Sequence, residues 1–456
     1  MSESFVKKIV KCIEPINDEE LINSNTYNLI AEGEMYKEAS GFYFFKPTKH
    51  DMDDYTTNIK SITEKGSSKL FLNALLKAII KPDPRISDND FCHFMVNTFL
   101  AVNLVLDKDK DKDISSPNND KTYYKYDTSY FKDFSVIKNC YNAGTISFFE
   151  IKKENSSNTI VCTKIIINDL HLTKHNKFSW ELAKLFALKN AIYFFKFGFH
   201  NGVIHKTVEI ASYLTEKYLD KNHQLYIFLN PHIKYANCTN QISTKIVLEH
   251  TNPFSKFDLT ADSFKKLVCI GTNILKSKNQ LNFDYVKTKH SDTINKYMLP
   301  ITDLVKNFVL EYNIETNYIK RWYDSFKEFM MIGDFNINNF IKLLTIIIFR
   351  ATFAHSYDHY ELKELLPVFM KSNLYKIRIP FPIDLPFFGK HNQIEKRIDT
   401  FKRYTMVYSF NLSKNINITT YDYPKLKLNM PIFRENLQNV SDPKINLNKI
   451  ACNIYE

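Results

Sequence analysis

From about Phe178 to Val368 apolar residues recur with the period of a helix, and the stretch that begins at Trp180 meets no proline until Pro231. A break is expected around His290 to Asp292. Upstream, Lys69 to Ile80 reads as a helix stopped by Pro82-Asp83-Pro84, and Asp88 to Leu106 as a second helix with an apolar end. Between Thr122 and His171 the pattern shortens to β-prone runs, Gly144 to Ile151 and Thr159 to Ile167, separated by Asn and Ser turns. Beyond Val368 come the stretch PFPIDLPFFG, a helix near Gln393 to Tyr408, and Asn-rich coil. Residues 1–66 are polar and carry no strong period. These patterns predict a mainly α protein: a polar extension over 1–66, then a helical domain over 67–456 with a small β subdomain and a charged loop insertion at 107–120.

Composition narrows the function classes. A chain of 456 residues has room for a large core, and length alone would allow roughly two to four domains. Glycine is scarce at 9 residues while Phe and Tyr number 37 and 27, which favours aromatic packing over phosphate-cradling loops. No GxGxxG or Walker pattern occurs. The net charge of +11 is spread among many Asn and Asp residues without a dense basic stripe, so no nucleic-acid partner is expected. The seven cysteines lack any CxxC spacing, which suits reduced thiols in the cytoplasm. The start MSESFVKKIVKCIE is too charged for a secretory signal, and the longest apolar run, Leu343 to Phe349, ends at Arg350, short of the ~20 residues that span a bilayer. No transmembrane segment is expected.

The candidate chemistry lies in histidines. His200 and His205 stand five apart, and on an α-helix such residues point about 140° away from each other. They share a face only if the turn widens into a π-bulge, a device found mostly at functional sites. His355 and His359 stand four apart, where a regular helix puts both on one face. Two helices can thus converge on one metal. The aspartates of DKDKDKD, from Asp107, lack the glycine and closing glutamate of an EF-hand loop.

Trp180 to Lys245 resembles the lipoxygenase catalytic domain. The matching residues are Trp180, Leu182-Ala183-Lys184, His200, His205, His223, Tyr226, Pro231-His232, Tyr235 and Asn240. Thr345 to Phe349 followed by His355-Ser356-Tyr357-Asp358-His359 resembles the family's second iron-binding helix, and Phe94 to Leu104 resembles its F-x6-G-V-N-P with Ala101 for Gly and Leu104 for Pro. The resemblance covers roughly residues 80–370. It implies a lipoxygenase-like helical domain, one non-haem iron, and dioxygenation of a polyunsaturated fatty acid, while residues 1–66 are too polar and too lacking in alternation to form the N-terminal β-sandwich that many members carry.

The same alignment places the family's three helix histidines at positions 195, 200 and 205, and position 195 is Phe. Phe195 then replaces the first ligand, since phenylalanine has no lone pair to donate. His200 becomes the second ligand and His205 a non-ligating histidine that enters only if the helix register slips by one bulge. His355 and His359 keep the third and fourth positions, and His223 and His232 take structural roles. The family's last ligand is the carboxylate of a terminal isoleucine, whereas this chain ends in Glu456, whose charged side chain would be costly to bury. Three readings stay open: a dioxygenase with an altered iron shell, an inactive protein of the same fold that binds a lipid or a protein, and a basic nucleic-acid-binding helical protein.

Overall fold

The first described helix shows how this chain positions its elements. In the computed structural model, which describes residues 35–37, 43–45, 52, 86–107, 121–136, 140–153, 158–240, 259–281, 288–312, 316–355, 357, 418 and 421–441, α1 spans Asp88–Asn97. Ser87 caps it, its hydroxyl accepting from the Asp90 amide at 3.0 Å. The helix expected to reach Leu106 stops earlier. Thr98 adopts extended backbone and starts a 3₁₀ turn over Phe99–Asn103, after which Leu104–Leu106 forms strand β3. Leu-Val-Leu gains more by pairing with a neighbouring strand than by another helical turn.

Two short strands, β1 (Met35–Lys37) and β2 (Tyr43–Phe45), pair antiparallel within the polar extension, and β2 runs beside the later helix Lys206–Tyr218. The main sheet is a five-stranded antiparallel meander in the order β3, β4 (Lys121–Thr128), β5 (Thr145–Lys153), β6 (Asn158–Ile167), β7 (Leu170–Leu172). It contains both strands expected from the sequence. Tyr124, Tyr126, Phe149, Ile165 and Ile167 are buried on one face, and the register sets Tyr124 opposite Phe149. That face rests on α1 and on α2 (Lys177–Tyr193).

Helix α2 runs on without interruption as a π-helix over Phe194–His205 and then as α3 (Lys206–Tyr218). A buried lysine anchors its start: Lys184 Nζ donates to the Ile86 carbonyl at 2.5 Å and to Asp88 Oδ1 at 2.7 Å, and pairs with Glu181 at 2.9 Å. Trp180 Nε1 donates to the same Asp88 oxygen at 2.8 Å. The W-x-LAK residues thereby tie the long rod to α1. After α4 (Gln224–Ile233), helix α5 (Ala261–Ser277) crosses the π-helix so closely that a Cβ on Gly271 would lie 1.7 Å from the Gly198 carbonyl oxygen. Only glycine fits there.

The expected break near His290 is the start of α6 (Lys289–Glu311), closed by a reciprocal capping box between Thr288 and Ser291. After α7 (Thr316–Ser325), α8 (Ile337–Phe349) continues as a π-turn over Arg350–Ala354. The stretch Ile337–Ala354 is long and apolar enough to cross a membrane by length and composition, but 67% of it is buried inside the protein. Its apolarity is that of a core helix. A C-terminal arm, 421–441, inserts Tyr423 between His232 and the Phe228–Phe308 stack and ends in α9 (Met430–Val440) along α6. His232 thus has the structural role expected of it, and His223 caps α4 by accepting from the Leu225 amide at 3.1 Å. The expected helices at 69–80 and 393–408, the PFPIDLPFFG stretch and most of the charged insertion lie outside the described residues, as do His359 and Glu456.

Candidate metal centre

The π-helix is what builds the site. Its wider turn brings residues five apart toward one side, so Phe195, His200 and His205 form a row instead of a spiral. The ring of His200 lies 4.8 Å from that of His205 and 6.0 Å from that of Phe195. From the second helix, at the end of its own π-turn, His355 closes the group, with its ring 4.9 Å from each of the two histidines. All three are buried, and one ring nitrogen of each lies within 4.8 Å of the others. The bulge on which the entry of His205 depended is thus a π segment of twelve residues, and His205 stands in the cluster beside His200.

Hydrogen bonds orient His205. Its Nδ1 meets Asn240 Oδ1 at 2.7 Å, an oxygen that can only accept, so Nδ1 carries the proton and Nε2 the lone pair. Asn240 in turn donates from Nδ2 to the buried Glu209 at 3.1 Å, and Lys206 pairs with that carboxylate at 3.2 Å. Burial pushes the His205 pKa down to about 4 against the opposing pull of the Asn240 bond. The ring is therefore neutral at pH 7, the form that ligates metals.

The spacing fits a metal. His200 Nε2 and His205 Nε2 are 3.1 Å apart. With metal–nitrogen bonds of about 2.1 Å, ligands at right angles sit about 3.0 Å apart and tetrahedral ligands about 3.4 Å apart. The observed separation is that of an imidazole–imidazole hydrogen bond and lies close to both values, so the two nitrogens could take up one ion with little movement. Phe195 lies beside the cluster with its ring 4.2 Å from Phe99 and 6.1 Å from Phe199, an apolar wall that keeps water from that side.

A cavity of about 20 Å³, the space of a single water, lies near the cluster without any of its three histidines in the wall. Phe199, Ile204 and Ala354, the chain neighbours of the three histidines, contribute to its wall, together with Arg350, His290 and Tyr357. Burial pushes the His290 pKa down to about 3. Sequence reasoning missed His290 and Arg350. A histidine in a first helical turn and an arginine ending an apolar run both read as surface features, and the only available hint was that Arg350 precedes His355 by the same five-residue spacing as the other pair.

No protein-family model and no curated protein matches this sequence. Solved structures do match. A calcium-dependent 11R-lipoxygenase superposes with TM-score 0.64 at 14% identity, over 81% of this chain and 66% of that one. The manganese lipoxygenase of Gaeumannomyces graminis gives 0.60 at 13%, over 95% and 99%, and the fungal lipoxygenase of Fusarium graminearum 0.56 at 13%, over 100% and 90%. The chain has a lipoxygenase-like fold, mostly helical with a small antiparallel sheet.

Proposed function

We propose that this chain holds one mononuclear metal, iron or manganese, through His200, His205 and His355, with His359 as a fourth ligand four residues further on, and that it oxidises a polyunsaturated fatty acid or a related lipid. The observation that carries this reading is the convergence of three buried imidazoles from two helices within 4.8 Å. When bound, the metal would supply the one-electron chemistry that removes hydrogen from a doubly allylic carbon and lets dioxygen add. The protein's own residues have simpler tasks. Asn240 holds His205 in the tautomer that presents Nε2, and Phe195, Phe99 and Phe199 keep water off the cluster. The terminal carboxylate of Glu456 is not needed for three nitrogen donors to hold a metal. The buried free thiols of Cys92 and Cys162 suit a reducing compartment such as the cytoplasm.

One observation favours a second reading, a binding protein that has kept the fold without the oxygenation. A cavity of about 20 Å³ takes no acyl chain unless the aromatic wall of Phe199, Phe349 and Phe353 opens. Metal analysis of the purified protein, beside His200→Ala, His205→Ala and His355→Ala, separates the two. We expect about one metal per chain, lost in each variant, and oxygen uptake with linoleate that follows the metal. Absence of metal after anaerobic loading with ferrous or manganous ion would leave the second reading.

A further inference from the structure

Arg350 is a charged side chain that is only 5% exposed. It opens the π-turn that ends at His355, so the guanidinium and that imidazole leave the same helix on nearly the same side. Its Nη1 donates to Thr207 Oγ1 at 2.7 Å, and Thr207 follows His205 by two residues. The Thr207 hydroxyl donates its own proton to the Val203 carbonyl at 2.7 Å, which leaves its lone pair for the arginine. Nη2 donates to Gln280 Oε1 at 2.8 Å. The amide nitrogen of Gln280 is engaged by the carbonyls of Ile274 and Lys278, both at 2.9 Å, so its oxygen has to face Arg350. Each contact of this mount is thus fixed by a further bond.

We propose that Arg350 is a positioning residue for the metal centre: a planar fork that sets the separation between the helix bearing His200 and His205 and the helix bearing His355. The inference rests on the metal-binding reading above. Apolar packing between two helices allows sliding, whereas a directed bond from a rigid plane to Thr207 fixes their separation, and the second bond, to Gln280 beyond the end of α5, fixes the rotation of that plane. Thr207 and Gln280 are neutral, so these two bonds bring the guanidinium no opposite charge to offset its burial. What they supply is geometry.

The test is titration of the metal-free full-length protein with Co²⁺, reading affinity and the visible absorption of the bound ion, on wild type, Arg350→Met, Arg350→Lys and Thr207→Val. Lysine keeps the charge but not the fork, so it is expected to fail as methionine does. Both should bind Co²⁺ about 10- to 100-fold more weakly and with an altered spectrum, and Thr207→Val, which removes one acceptor, should shift in the same direction by less. A purely structural role would change the unfolding midpoint and leave the spectrum of the bound ion as it was. Wild-type affinity and spectrum in Arg350→Met overturn the proposal, and if that variant does not fold, wild-type behaviour of Thr207→Val does so. A wild type that takes up no Co²⁺ takes the metal-binding reading down with it, whereas a wild type that binds beside variants that bind equally well sinks the positioning role alone.

Discussion

The two helices that supply the histidines make the same change at the same place: each leaves α geometry for π geometry where it reaches the cluster. They hold that change differently. In the first, twelve residues from Phe194 to His205 are π-helical, and the support is backbone on backbone, with Gly202 and Gly271 so close that a Cβ on either would lie 2.8 Å from the other's Cα. In the second, only Arg350–Ala354 is π-helical, and the support is the polar mount of Arg350. A long unusual segment is held by shape and a short one by directed bonds. Shape tolerates no added atom, while directed bonds tolerate no lost donor.

The largest expected effect follows from the first half of that contrast. In Gly271→Ala the new methyl would sit 1.7 Å from the Gly198 carbonyl oxygen, a clash with backbone that no rotamer relieves. Displacing α5 from the π-helix should cost about 3 kcal/mol or more, and the fall in urea midpoint measures it. Gly202→Ala, at 2.8 and 2.9 Å from the backbone of Gly271 and Val268, should cost less. A Gly271→Ala protein as stable as wild type would show that the close crossing does not exist.

Acidification tests the buried surroundings of the second helix. His290 shares the cavity with Arg350, Tyr297 and Tyr357, and burial holds its pKa at about 3, below the roughly 6.5 of an exposed histidine. Between those values the unfolded chain binds a proton that the folded chain does not, so stability falls as pH drops from about 6.5 toward 3. The loss should reach a few kcal/mol, on the order expected for a buried neutral histidine. Urea unfolding at pH 7, 5.5 and 4.5 should show a shallower decline in His290→Phe than in wild type. Equal slopes would mean that His290 titrates much as it does in the unfolded chain.

A smaller effect separates the orientation of a histidine from its presence. Asn240→Ala leaves all three imidazoles in place but takes away the acceptor that fixes the His205 tautomer. Metal affinity should fall about 10- to 100-fold, beside a loss of about 1–3 kcal/mol in the metal-free protein from the partners taken from buried His205 and Glu209. Unchanged affinity would make the Asn240–Glu209 pair a packing feature and no more.

The helical body, the strands near 145–167 and the candidate pair His200 and His205 were legible in the sequence because each rests on period or spacing. The π-helix was legible only as a condition: a five-residue interval says that two histidines need a wider turn in order to meet, not that the turn is widened. What decides it is the crossing of α5, seventy residues away, whose single glycine at 271 carries no local signal. Arg350 was illegible for a similar reason. Read locally it ends an apolar run, and its bonds to Thr207 and Gln280 appear only in the tertiary structure. The end of the helix expected at 88–106 was lost to strand pairing with residues twenty positions later. In each case the missing information is a partner distant in the chain.

The smallest expected effect tests whether the π-helix needs glycine for its conformation or for its neighbour. Gly198 precedes His200 by two residues and is the natural suspect for making the wider turn affordable. A Cβ there would meet the Phe194 ring at 3.2 Å and the Leu267 carbonyl at 3.3 Å, contacts that a shift of a few tenths of an ångström relieves. Alanine also gains up to about 1 kcal/mol over glycine inside a helix. The two terms nearly cancel, so Gly198→Ala should change the unfolding free energy by less than about 1 kcal/mol and leave the affinity for Co²⁺ unaltered. If instead metal binding is lost while the fold survives, the π geometry depends on the freedom of this one residue, and the division between a helix held by shape and a helix held by bonds would have to give way to one held by local conformation.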